Sequence, residues 1–92
     1  MEKRLEIYYS GNVQGVGFRY TVLRISEMFQ GIKGFVRNLS DGRVQVVAEG
    51  DAGDLEAFQQ RIEKSFLKNY ILGREVTWVH IKSEFNSFTI AY

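Results

Sequence analysis

The sequence contains no cysteine and no proline, only one histidine, and almost no net charge. Without cysteine there is no disulfide, no thiolate nucleophile and no cysteine metal site, and His80 alone cannot build a histidine cluster. No metal site is therefore expected. The formal charge of +1 is too small for the basic field that steers proteins onto nucleic acid. No segment is apolar enough over enough residues to span a bilayer, and the residues after Met1 are polar and charged, without the apolar run of a signal peptide. These absences predict a cytoplasmic protein with no membrane or nucleic-acid partner.

What is present describes one soluble domain over residues 1–92, with 45% hydrophobic and 25% charged residues. That is enough for a single core and too little for two. The charge is unevenly spread. Residues 1–43 hold seven Lys or Arg against four acids, whereas residues 44–92 hold five against seven, so an anion site belongs in the first half.

Leu5, Ile7 and Tyr9 alternate with polar residues, the period of a half-buried strand that ends at Ser10-Gly11. Phe18, Val22, Ile25 and Phe29 recur at helical spacing, and Gly31 is placed to cap that helix in a left-handed conformation. Phe35 to Leu39 and Arg43 to Glu49 read as antiparallel strands joined by Ser40-Asp41-Gly42, whose Asp-Gly pair supplies the positive φ angles of a tight hairpin. Asp51 or Asp54 caps a second helix with Leu55, Phe58, Ile62 and Phe66 as its apolar stripe. After a loop over 69–73, Val76 to Lys82 and Phe88 to Tyr92 read as two further strands. The order βαββαβ, with a last short strand, is that of a split βαβ arrangement. It predicts an α+β sandwich: an antiparallel sheet of four to five strands, in the order 4-1-3-2 for the first four, with both helices on one face.

Between the first strand and the first helix lies Gly11-Asn12-Val13-Gln14-Gly15-Val16-Gly17-Phe18-Arg19. Small residues at a helix N-terminus let backbone N–H groups converge, and the helix dipole adds about half a positive charge there. Arg19 opens the helix and its guanidinium can give two parallel hydrogen bonds to a phosphate. On these residues alone the segment reads equally as a tight connector with Arg19 in solvent. It is neither a P-loop, since no Lys-Ser or Lys-Thr follows a glycine at the right spacing, nor a dinucleotide fingerprint, since the third glycine is missing.

Two blocks of this sequence are more specific. Gly11-x-Val13-Gln14-Gly15-Val16-Gly17-Phe18-Arg19 resembles the first acylphosphatase signature, and Gly34-Phe35-Val36-Arg37-Asn38-x-x-Asp41-Gly42-x-Val44 resembles the second. The resemblance runs through the chain. It implies a ferredoxin-like fold, hydrolysis of the carboxyl–phosphate bond of acyl phosphates, and no cofactor. Arg19 falls on the family's phosphate-binding arginine and Asn38 on its water-positioning asparagine. The backbone of Gln14, Gly15, Val16, Gly17 and Phe18 then forms the phosphate loop. Phe35 stands where many members have Trp, and Ser26 where a small Ala is common, both at packing positions.

An acyl phosphate has a carboxylate leaving group, so departure needs no general acid, and the transition state chiefly requires stabilised phosphoryl charge. The Asn38 carboxamide can accept a hydrogen bond from water and hold it in line with phosphorus. Without the paired motif, Asn38 reads as a strand-end residue beside a turn. Asn38-Leu39-Ser40 also spells a glycosylation sequon, which a cytoplasmic chain does not present to that machinery. Trp78 and His80 read as sheet-surface residues, and Tyr20 and Arg37 flank the pair without an assigned role.

Two rival readings are non-catalytic. The fold also serves as an RNA-recognition domain, and Lys33-Gly34-Phe35-Val36 matches the start of such a motif, but the further stacking aromatics are missing. The other is a sensor of acyl or carbamoyl phosphate. A chain of this length starting at Met1 is expected to stand alone as a monomer rather than inside a larger maturation enzyme.

Overall fold

Alternating and helical periodicities map onto eight elements in the computed structural model, which describes residues 1–92. They are β1 (Glu2–Gly11), α1 (Phe18–Ser26), β2 (Lys33–Asn38), β3 (Val44–Asp51), α2 (Ala52–Lys64), a 3₁₀ turn (Phe66–Asn69), β4 (Ile71–Val79) and β5 (Phe88–Ile90). The sheet order is β4-β1-β3-β2-β5, so the expected order of the first four strands holds. Their pairings are antiparallel. The sheet as a whole is mixed, however, because β5 pairs parallel to β2. After β4 the chain crosses the face of the sheet away from the helices, and so reaches the far edge running in the direction of β2. Phe85 packs edge-on to Phe35 on the way, and the Lys82 N–H donates to Glu49.

One face of the sheet and both helices enclose a cluster of 16 buried residues, among them Leu5, Ile7, Tyr9, Val36, Val46, Leu55, Phe58 and Ile62. Fully burying such a side chain stabilises by about 1.5–3 kcal/mol, so the alternation along β1 and the stripe along α2 are what hold the layers together.

The bounds of α1, α2 and β4 differ from expectation. Helix α1 stops at Ser26, short of Phe29, and Gly31 does not take the left-handed conformation. The buried Ser26 hydroxyl donates to the Leu23 carbonyl at 2.6 Å, a side-chain bond that competes with the helical ladder. Asp51 caps α2, accepting from the Gly53 and Asp54 N–H groups, but the helix ends at Lys64. Ser65 is extended and its hydroxyl starts the 3₁₀ turn by accepting from the Leu67 N–H. That change of pitch buries Leu67 completely and leaves Phe66 half-exposed, so Leu67 takes the place expected of Phe66. Strand β4 begins at Ile71, inside the expected loop, and ends at Val79, because its ladder with β1 runs from Arg4↔Val79 to Gly11↔Ile71.

The β2–β3 connection is also wider than a two-residue hairpin. The Leu39 N–H donates to the Arg43 carbonyl, and the Gly42 N–H to the Leu39 carbonyl. Only Gly42 has a positive φ, 95°; Asp41 instead uses its carboxylate to accept from the Arg43 N–H and Nε. This is the hairpin in which a left-handed glycine follows an ordinary turn.

Candidate active site

Strands β1 and β2 run in the same direction on either side of β3. Tyr9 and Asn38 both pair with Val44, so they lie level with each other at one edge of the sheet. Two strand spacings, about 10 Å, separate their backbones. Asn38 shares its sheet face with Val36 and Val44, both buried in the core on the helix side. The loop leaving β1 and the start of α1 close over this same end.

Three anchors hold that loop. The Asn12 N–H donates to the Tyr70 carbonyl at 3.0 Å, and Val13 is fully buried. The Gln14 side-chain amide donates to two hairpin carbonyls, Leu39 O at 2.8 Å and Arg43 O at 3.0 Å. Beyond these anchors Gly15 and Gly17 take φ angles of 81° and 77°, in the left-handed region that favours glycine. Gly17 is the N-cap of α1 and no side chain caps the helix. No backbone carbonyl accepts from the N–H groups of Gln14 to Tyr20. The first turn of α1 also holds no acidic residue, so nothing neutralises the positive end of the helix.

Beneath the loop, the buried Tyr9 ring packs against Phe18 with centroids 5.4 Å apart, fixing the first residue of α1. The Tyr9 hydroxyl donates to Glu63 Oε2 at 2.9 Å, and Glu63 also pairs with Arg74. Burial pushes the Tyr9 hydroxyl well above the ordinary phenol range, with the Arg74 charge opposing it. Tyr9 is therefore a neutral support and not an acid–base group.

Gly17, Phe18, Arg19, Tyr20, Asn38, Ile90 and Tyr92 line one cavity of about 190 Å³. Arg19 and Asn38, 19 positions apart in sequence, thus share a wall with the helix N-cap. Arg19 takes part in none of the ion pairs of the protein, and its guanidinium carbon lies 5.1 Å from the centroid of the Tyr92 ring. Around the adjoining turn the side-chain hydrogen bonds run through Gln14, Arg37, Asp41 and Arg43, leaving the Asn38 carboxamide free. A larger groove of about 550 Å³ between α1 and α2 is lined by Arg61 and Lys64 among others, but contains neither Arg19, nor Asn38, nor the N-cap of α1.

Of the residues singled out in the sequence, Gly17, Phe18, Arg19 and Asn38 meet in the cavity, while Gln14, Gly15 and Val16 form the loop that leads to it. Arg37 lies on the opposite sheet face, donating to Gln45. Tyr20 joins the lining, and Ile90 and Tyr92 are additions that periodicity did not single out. Alternation along the last strand places Phe88, Ile90 and Tyr92 on one side; the position of that strand beside β2 is a tertiary fact. Of the two packing positions, Ser26 is buried and hydrogen-bonded, and Phe35 packs on Phe85.

The acylphosphatase family model matches residues 5–90. The acylphosphatase of Archaeoglobus fulgidus is 44% identical over 88 residues, 96% of this chain and 97% of its own length. That of Methylococcus capsulatus is 37% identical over 89 residues, 96% of this chain and 95% of its own. The crystal structure of acylphosphatase from Bacillus subtilis is 31% identical and superposes with a TM-score of 0.85 over the whole of both chains. Full-length HypF, in its phosphate- and nucleotide-bound form, is 33% identical with a TM-score of 0.89 over all of this chain, which covers 12% of that protein. Agreement in sequence along the chain, in fold and in length with these relatives has one reading: the chain belongs to the acylphosphatase family, hydrolases that act on acyl phosphates.

Proposed function

We propose that hydrolysis proceeds by in-line attack of a water held by Asn38 on a phosphoryl group held by Arg19 and the backbone amides of Gln14, Gly15, Val16, Gly17 and Phe18. The observation that carries this reading is the single cavity shared by Arg19, Asn38 and the N-cap of α1. The unpaired amides and the helix dipole attract the phosphoryl oxygens, and the guanidinium adds a bidentate, charge-assisted pair. These donors stabilise charge on the equatorial oxygens of the transition state. The water oxygen forms the new bond to phosphorus as the bond to the carboxyl oxygen breaks. The carboxylate leaves with the electron pair, and the water proton passes to a phosphoryl oxygen. Asn38 cannot act as a base, so its role is orientation. No metal or other cofactor enters the scheme.

Residues 1–92 act in this reading as one catalytic domain, monomeric and cytoplasmic, with a small acyl phosphate as substrate and inorganic phosphate as product. No helix is long and apolar enough to cross a membrane. The test is phosphate release from acetyl phosphate by the purified protein and by two variants. Arg19→Ala should lose competitive inhibition by inorganic phosphate together with about 10²- to 10³-fold in rate. Asn38→Ala should lower kcat on the order of 10²-fold while keeping phosphate inhibition. A folded Arg19→Ala protein with unchanged phosphate affinity would sink the assignment.

A further inference from the structure

The groove between α1 and α2 takes no part in the scheme above, yet at about 550 Å³ it is of the size that holds a small molecule. Its two ends differ in chemistry. Strands β1 and β3 are antiparallel and each leads into a helix, so α1 and α2 run in opposite directions. Phe29, just beyond α1, meets Phe58 of α2 with ring centroids 6.1 Å apart, which fixes the register. Met28 therefore lies level with Ala57, and Thr21, near the start of α1, lies toward Lys64 and Ser65. One end of the groove is apolar, with Met28, Ala57 and Ile25, and the other carries Arg61, Lys64 and two hydroxyls.

No acidic residue lines the groove, and neither Arg61 nor Lys64 belongs to any ion pair of the protein. Basic residues in the last turn of α2 suit the negative pole of the helix dipole. That explains their sign but not the apolar surface continuing from them, nor Met28, a flexible side chain left 59% exposed at its far end. The end of α2 has no unpaired N–H groups of the kind found at the start of α1. A head group there is gripped by side chains alone, against the pole of the dipole that repels anions. A singly charged carboxylate, which the Arg61 fork can hold in a bidentate pair, suits that end better than a doubly charged phosphate.

We propose that the groove between α1 and α2 binds a soluble single-chain amphiphilic carboxylate, its head on Arg61 and Lys64 and its chain along Ile25, Met28 and Ala57. From Ala57 to Lys64 the helix rises about 10 Å, a distance that a medium-length alkyl chain covers and acetate does not. The site is separate from the Arg19 cavity and does not depend on the catalytic scheme.

The experiment titrates octanoate into ¹⁵N-labelled protein in saturating inorganic phosphate, which occupies the Arg19 cavity, and follows backbone amide shifts. Shifts should concentrate at Thr21, Ile25, Ala57 and Arg61, with a Kd on the order of 1 mM or below. Acetate and octylammonium should each bind at least about tenfold more weakly, the first lacking the chain and the second the charge. The double variant Arg61→Gln, Lys64→Gln should lose about tenfold or more in octanoate affinity, and so should Met28→Asp, which puts charge where the chain lies. Both variants alter exposed side chains outside the Arg19 cavity, so phosphate release should stay at the wild-type rate and report that they are folded. No octanoate binding, or equal binding by the variants, overturns the proposal. So do shifts confined to residues 14–19, which place octanoate in the catalytic cavity, and binding to anionic phospholipid vesicles without binding to octanoate, which makes the face a membrane contact.

Discussion

Gln14 ties the phosphate loop to the hairpin that carries Asn38, and cutting that tie should damage catalysis more than stability. Its amide donates to Leu39 O and Arg43 O, at positions open to solvent. Both carbonyls keep another donor, since Leu39 O accepts from the Gly42 N–H and Arg43 O from the Leu39 N–H. Gln14→Ala therefore leaves no buried group unpaired. The pair of lost bonds should cost about 1 kcal/mol, the low end for two neutral hydrogen bonds. In a domain of this size that lowers Tm by about 4–8 °C. Leu39 adjoins Asn38, however, and a shift of about 1 Å in the spacing of catalytic groups costs on the order of 10²-fold in rate. The expected result is a kcat about 10- to 100-fold down in a protein that is folded at the assay temperature. Gln14→Glu should be worse, because it turns acceptor oxygens toward two carbonyls. Phosphate release and thermal unfolding on the same samples decide the matter. If Gln14→Ala lowers Tm but keeps kcat within about twofold of wild type, the clamp serves stability alone and the coupling argument fails.

Three further outcomes are expected. Asn38→Asp keeps the size and an accepting oxygen but adds a negative charge facing the phosphoryl group, so inhibition by inorganic phosphate should weaken as well as kcat; unchanged inhibition would place Asn38 away from the anion. Exhaustive chelation should leave phosphate release unchanged, and loss of turnover restored by Mg²⁺ would show the scheme to be incomplete. Tyr9 is buried and its folded pKa is raised, so its contribution to stability is complete below the unfolded value of about 10 and is lost as pH rises above it. In an alkaline absorbance titration one of the five tyrosines should ionise only as the protein unfolds, and Tyr9→Phe should remove that step; a Tyr9 that ionises in the folded protein would refute its burial as the cause.

The sequence by itself determined most of the elements and the family. Period-two alternation at Leu5, Ile7 and Tyr9 and the stripe Leu55, Phe58 and Ile62 decided strand and helix, because those patterns place apolar side chains on one side of one backbone geometry. Arg19, Asn38 and the two glycines of the loop carried the functional reading only as parts of the two paired blocks, since each residue type alone fits a connector or a strand end equally well. Periodicity failed at the helix ends and wherever partners come from elsewhere in the chain. Each helix stops at a serine whose hydroxyl bonds backbone two or three residues away, and burial of Leu67 displaced Phe66. Periodicity is blind to both, because only the packed core decides which of two adjacent apolar residues is buried. The parallel pairing of β5 with β2, the tie from Gln14 to the hairpin and the arrival of Ile90 and Tyr92 beside Arg19 were decided only by tertiary structure. Each joins segments distant in sequence, and a contact of that kind has no period to read.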